Sequence, residues 1–82
     1  MDVRWFRARS RRDFGGAVAD ARKDAKLTQF DLAERTGLSR STVQRLEGGE
    51  DVSLEAALTA LAELGFEAII VPRRSRVQVS EQ

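Results

Sequence analysis

Residues 27–48 read LTQFDLAERTGLSRSTVQRLEG, and they hold two helix starts and two helix stops. Thr28 is a good N-cap, and Asp31, three residues on, can reach back to the cap's own amide in a variant of the capping box. Phe30, Leu32 and Ala33 supply the apolar side of the helix that follows. Gly37 ends it, because the residue past a last helical turn commonly takes positive φ, which glycine adopts without strain. Leu38 alone separates that stop from Ser39, the cap of the next helix, which turns Val43 and Leu46 inward and stops at Gly48-Gly49. Two short helices joined by Gly37-Leu38-Ser39 form a helix-turn-helix, the arrangement whose second helix can enter the DNA major groove.

Upstream, a helix from about Asp13 to Ala25 sets Phe14, Ala17, Val18, Ala21 and Ala25 on one face. Gly15 and Gly16 either weaken its first turn, each by up to about 1 kcal/mol relative to alanine, or permit close packing there. The sequence leaves both readings open. Downstream, Ser53 opens a fourth helix whose Leu54, Ala57, Leu58, Leu61 and Leu64 form an apolar stripe ending at Gly65. Phe66–Val71 then changes period. It is rich in β-branched residues and closed by Pro72, which reads as a strand. A lone strand leaves unpaired groups on both edges, so the economical partner is the same strand of a second copy, antiparallel about a two-fold axis. A hairpin with residues 76–79 is the alternative.

At 82 residues the chain is sized for one domain. Such a domain buries roughly 60–65% of its unfolded surface, enough for one small core. There is no cysteine, histidine or tyrosine. That removes the commonest general base, the commonest metal ligand and every cysteine-based zinc site, so neither an enzyme nor a cofactor or metal is expected. The carboxylates form no recognisable catalytic arrangement, and the glycine pairs lack the following lysine of a nucleotide loop. The longest apolar run, Ala68 to Val71, is far too short to span a bilayer, and the charged N-terminus has no leader-like apolar stretch. With no thiol to oxidise, the expected location is cytoplasmic.

The net charge of +1 hides a segregation. Residues 1–12 carry five arginines against Asp2, whereas residues 46–72 carry six acids and no lysine or arginine. A chain of low net charge can still meet a polyanion through one basic face. Three segments follow: a basic N-terminal arm over 1–12, a helix-turn-helix domain with its terminal strand over 13–72, and a mobile basic tail over 73–82. The arm's Arg4, Arg7, Arg9, Arg11 and Arg12 suit a minor-groove contact. Trp5 and Phe6 suit packing on a dimer or a partner, and a disordered end is the third reading.

Leu27-Thr28-Gln29, Leu32-Ala33, Gly37-Leu38-Ser39, Thr42-Val43 and Leu46-Glu47-Gly48 together resemble the phage-repressor (Cro/cI, or XRE) helix-turn-helix family over about Phe14 to Leu64. The resemblance implies a mainly α, four-helix lambda-repressor-like domain that binds operator DNA in a sequence-specific way and represses transcription. It puts Gln29 on a DNA phosphate, at a helix N-terminus whose amides also favour an anion. Thr28, Ser39 and Gln44 are the further expected phosphate contacts. Arg40, Ser41 and Arg45 look like the family's base-reading positions, with Thr42 beside them. An arginine bonding guanine O6 and N7 together is worth about 1–3 kcal/mol of discrimination. Arg22 and Glu47 fall where the family carries an ion pair joining the first helix to the end of the recognition helix. Lys26 departs from the family, which often has glycine or asparagine there; if the turn needs positive φ, lysine costs something.

The Phe66–Val71 strand stands where the family usually has a fifth helix, and in this the chain resembles HipB-type antitoxins, small dimeric repressors. That second resemblance implies a homodimer joined through the C-terminal β-strand, by Phe66, Ala68, Ile69, Ile70 and Val71. It also implies a HipA-type serine/threonine kinase toxin as partner and repression of a shared operon. The other readings are a stand-alone XRE-family regulator and a helix-turn-helix used only for protein contact. Arginines at 40 and 45 favour DNA.

Overall fold

A computed structural model describes residues 5–78 of the chain. Four helices follow one another: α1 (Arg11–Asp24), α2 (Gln29–Thr36), α3 (Arg40–Glu47) and α4 (Leu54–Glu63). Each begins at a hydroxyl cap. Ser10, Thr28, Ser39 and Ser53 accept the amides of Asp13, Asp31, Thr42 and Ala56, all at 3.0 Å. Thr28 also donates its own amide to Asp31 Oδ2 at 2.8 Å, completing a reciprocal capping box.

The first helix starts earlier than Asp13. Arg11 and Arg12 belong to α1, not to an arm, because Ser10 caps the helix and Asp13 in turn accepts the Arg9 amide at 3.1 Å. The hydroxyl-to-aspartate spacing that announces α2, Thr28 to Asp31, is present here too as Ser10 to Asp13, beneath the density of arginine.

Val18, Leu32 and Val43 are fully buried at the centre, with Ala33, Leu46, Ala57, Ala60 and Leu61 around them. Full burial of a valine or leucine side chain contributes about 1.5–3 kcal/mol. α1 lies on α3, while α2 touches both α3 and α4. Four apolar residues expected inside are exposed. Ala25 is exposed beyond the end of α1. Phe30 is 54% exposed, because α2 turns Leu32 and Ala33 inward and leaves the 30 and 34 positions outside. On α4, Leu54 and Leu58 point to solvent at 72% and 43% exposure. The inward face of α4 is instead Ala56, Ala57, Ala60 and Leu61, whose small side chains let α4 approach its neighbours closely.

Beyond Gly65 the Phe66 amide bonds back to Leu61 O at 2.8 Å, and the Phe66 ring packs against the core. Residues 67–71 are exposed, and no strand forms among the described residues. One chain supplies no edge for the segment to pair with. The hairpin alternative gains only a turn, in which the Ser75 amide meets Pro72 O at 2.9 Å; Val79 lies outside the described residues. The N-terminal segment runs beside this C-terminal one. Phe6 and Phe66 stack at a tilt with ring centroids 5.8 Å apart, and Arg7 Nη2 donates to Ser75 O at 3.2 Å. Residues 6 and 7 thus pack on their own chain, which none of the three readings of the arm anticipated; Arg4 lies outside the described residues, as do residues 79–82 of the tail.

Lys26 has φ 62°, the one positive value at a non-glycine position among the described residues. A left-handed conformation costs an L-residue about 1–2 kcal/mol, so the family's usual glycine or asparagine would be cheaper in this turn.

The two glycines of α1 have opposite surroundings. A Cβ on Gly15 would collide with the carbonyl oxygen of Leu46 and lie 2.8 Å from that of Glu47, whereas a Cβ on Gly16 would meet nothing within 4 Å. Gly15→Ala is therefore expected to lower the melting temperature by pushing α1 off α3. Gly16→Ala should raise stability by about 0.5–1 kcal/mol. Thermal and urea melts of the two variants check this, and equal shifts of the same sign would contradict it.

Candidate nucleic-acid interface

The α2–α3 turn is held from inside. Thr36 Oγ1 donates to Leu32 O at 2.7 Å and accepts the Leu38 amide at 3.2 Å. Gly37 takes φ 77° and returns its amide to Ala33 O at 3.0 Å. Thr36 was not singled out from the sequence, although a threonine at the last position of a helix can bond its carbonyls in this way. Ala33, Val43 and Leu46 are buried behind the turn. The opposite face of α3 is thereby turned to solvent.

On that face Arg40, Ser41, Gln44 and Arg45 are exposed. Thr42 is half-buried, and its hydroxyl accepts from Ser39 Oγ at 2.9 Å. The Ser39–Thr42 pair thus closes the start of α3, using the Ser39 hydroxyl proton and leaving that of Thr42 free to donate. Arg45 is at the other end, where Nη2 donates to Asp51 O at 2.7 Å and ties the helix to the loop before α4. Arg40 borders a shallow groove with Phe30, Ala33, Glu34, Gly37 and Leu38. The exposed ion pairs Arg11–Asp51 at 3.8 Å and Arg35–Glu63 at 4.0 Å are long and add little.

Behind this face lies a buried polar cluster. Arg22 Nε donates to Glu47 Oε2 at 2.7 Å and Nη2 to Oε1 at 2.9 Å, a two-pronged pair between α1 and the last residue of α3. Arg22 Nη1 donates to Leu27 O at 2.8 Å, bracing the strained α1–α2 turn. Gln29 Nε2 donates to Glu47 Oε1 at 3.0 Å. The Arg22 and Glu47 side chains are only 10% and 6% exposed. Hydrogen bonding to Glu47 raises the Arg22 pKa above its ordinary value, against the burial that lowers it. At the start of α2, the hydrogen bonds from Thr28, its backbone first, hold the Asp31 carboxyl below its ordinary value. The link from Gln29 to Glu47 has no signature in the chain, since it joins two helices across the turn.

The remaining expected site residues divide. Thr28 is occupied by the capping box. Of the residues expected at a dimer interface, Phe66 lies half-buried on its own core while Ala68, Ile69, Ile70 and Val71 are exposed. Among the described residues, no three His, Cys, Asp or Glu side chains group as a metal site.

The sequence matches the model of a helix-turn-helix domain family over residues 13–65. No curated protein matches it in sequence. Among solved structures, a HipB-O4 20mer complex aligns with TM-score 0.78 and 18% identity over 85% of this chain and 100% of that chain. A HipA-HipB-O2-O3 complex aligns with TM-score 0.77 and 18% identity over 85% and 100%. The clp gene regulator ClgR from Corynebacterium glutamicum aligns with TM-score 0.64 and 31% identity, over 70% of this chain and 62% of that chain. The HipB likenesses are likenesses of fold.

Removing one partner of a buried ion pair leaves the other charge without compensation. Arg22→Met is accordingly expected to destabilise by roughly 3 kcal/mol, with much of the loss recovered when Glu47 is also replaced by a hydrophobic residue of similar volume. A double-mutant cycle in denaturant reads the coupling, and additive losses would show that the two side chains contribute independently.

Proposed function

Because this chain belongs to that helix-turn-helix domain family, we propose that it is a sequence-specific DNA-binding repressor and, more narrowly, the antitoxin of a HipBA-type operon. The observation that carries the DNA reading is the outward face of α3. Arg40, Ser41 and Gln44 are exposed there on a helix whose inner residues are buried and whose far end is bound to α1. Arg40 and Arg45 act as the base readers, with Ser41 and Thr42 beside them. Arg45 uses guanidinium donors other than the one on Asp51, since arginine carries five. Gln29, Gln44 and the capped helix starts at Thr28 and Ser39 meet phosphates.

The antitoxin role draws its support from the fold. HipB, whose fold this chain shares, is in one solved structure complexed with a 20mer and in another with HipA. A HipA-type serine/threonine kinase toxin is then the protein partner, and the shared operon the target of repression. No helix among the described residues is long and apolar enough to cross a membrane.

The repressor works as a homodimer. Ile69, Ile70 and Val71 are 71%, 99% and 41% exposed in the single chain. A β-branched segment outside any helix or strand and so exposed leaves apolar side chains uncovered. Antiparallel pairing with a second copy meets that need and sets the spacing of the two recognition helices.

Two experiments test this. Selection from a binding-site library should give a near-palindrome with half-sites centred about one turn, roughly 34 Å, apart. Arg40→Ala should relax preference at particular bases, while Gln29→Ala weakens all sequences alike; the same uniform loss from both would refute the division of roles. Ile69→Pro removes a ladder donor and should yield monomers without cooperative operator binding. Light scattering would reject the strand model by finding this variant dimeric with unchanged affinity, leaving the exposed Leu54 and Leu58 of α4 as the interface.

A further inference from the structure

We propose that Glu47 is a positioning residue for DNA binding, which orients the Gln29 side-chain amide toward a phosphate by accepting one of its N–H groups. The inference rests on the DNA-binding reading and concerns how that site is prepared before DNA arrives. A free glutamine amide can present either its oxygen or its nitrogen to a ligand, and only the nitrogen suits a phosphate. A carboxylate has no proton to give, so the 3.0 Å contact between Gln29 and Glu47 Oε1 is made by the amide nitrogen. The amide oxygen is turned away, and one N–H is left to donate.

Glu47 can hold that orientation because it is itself held. Both of its oxygens bond to Arg22, and the third guanidinium nitrogen is fixed on Leu27 O, two residues before Gln29. The carboxylate is almost fully shielded from water, so solvent competes poorly for it. The other polar side chains at the start of α2 bond locally instead. The Thr28 hydroxyl and the Asp31 carboxylate already bond each other's backbone amides. One carboxylate therefore ties the phosphate-contacting side chain of α2 to the end of the helix that reads bases. The backbone contact and the base contacts keep a constant relation to each other.

Glu47→Asp tests this, because it keeps a charge that the long Arg22 side chain can follow while withdrawing the carboxylate from Gln29 by one methylene. Wild type, Glu47→Asp, Gln29→Ala and the double variant are titrated against a binding-site library well below their melting temperatures. Each single variant should lose about 10-fold in affinity on all sequences, the worth of one hydrogen bond to a charged group. The double variant should be no weaker than Gln29→Ala alone. In the DNA-free protein, the Gln29 side-chain amide proton on Glu47 should resonate downfield and exchange slowly, and in Glu47→Asp it should return to the position of the exposed Gln44. An equal loss from Glu47→Asp with and without Gln29 would overturn the proposal, since Glu47 would then act only through the placement of α3. A wild-type Gln29 amide that already resembles Gln44 would overturn it as well. If the wild type bound no DNA, the functional reading would fall and the proposal with it, whatever the amide signals showed.

Discussion

A single carboxylate, that of Glu47, sits where three helices meet, and the placement of α3 depends on it. Burying a charge is costly unless it is paired and hydrogen-bonded. Glu47 meets that condition with two bonds from Arg22 and one from Gln29. Those bonds bind α1 and α2 to the C-terminal end of α3, while the Thr36–Ser39 turn and the Ser39 cap hold its N-terminal end. With both ends secured, α3 has little freedom to tilt. A buried pair of this kind is not by itself evidence of stability; its value lies in the angle it imposes.

That junction needs backbones to approach closely. α1 reaches the carbonyl oxygens of Leu46 and Glu47 only because position 15 has no side chain. The α1–α2 turn that delivers Gln29 runs through the left-handed Lys26, and the Leu27 amide bonds back to Arg22 O while Leu27 O accepts from the Arg22 guanidinium. Arg22 thus braces the turn with its backbone and its side chain together, which offsets the cost of lysine there. Local strain and the buried pair belong to one assembly.

The chain from the end of α3 onward has a different composition. The stretch from Leu46 to Pro72 carries six acids and no basic side chain, and Leu54, Leu58, Ile69, Ile70 and Val71 are exposed around it. The Phe6–Phe66 contact and the Arg7–Ser75 bond hold the N-terminal segment against the C-terminal one. Arg40 and Arg45 are exposed on α3, and large apolar side chains are exposed on α4 and near the C-terminus.

What the sequence determined by itself was local. The caps Thr28, Ser39 and Ser53, the capping box with Asp31 and the stop at Gly37 depend on backbone groups within a few residues, so the residue types suffice to place α2, α3 and α4. Val18, Leu32, Val43 and Leu46 could be assigned inward because helical periodicity is itself a local rule. The tertiary structure decided what depends on neighbours distant in the chain. Leu54 and Leu58 belong to an apolar stripe by spacing, yet only the packing of α4 through Ala57 and Ala60 leaves them outside. Gly15 and Gly16 are indistinguishable in the sequence and differ because α3 passes over one and not the other. The amide of Gln29 acquires its partner, Glu47, from 18 residues away through the fold. The Phe66–Val71 segment has the composition of a strand, but a strand also requires an edge to pair with, and one chain provides none.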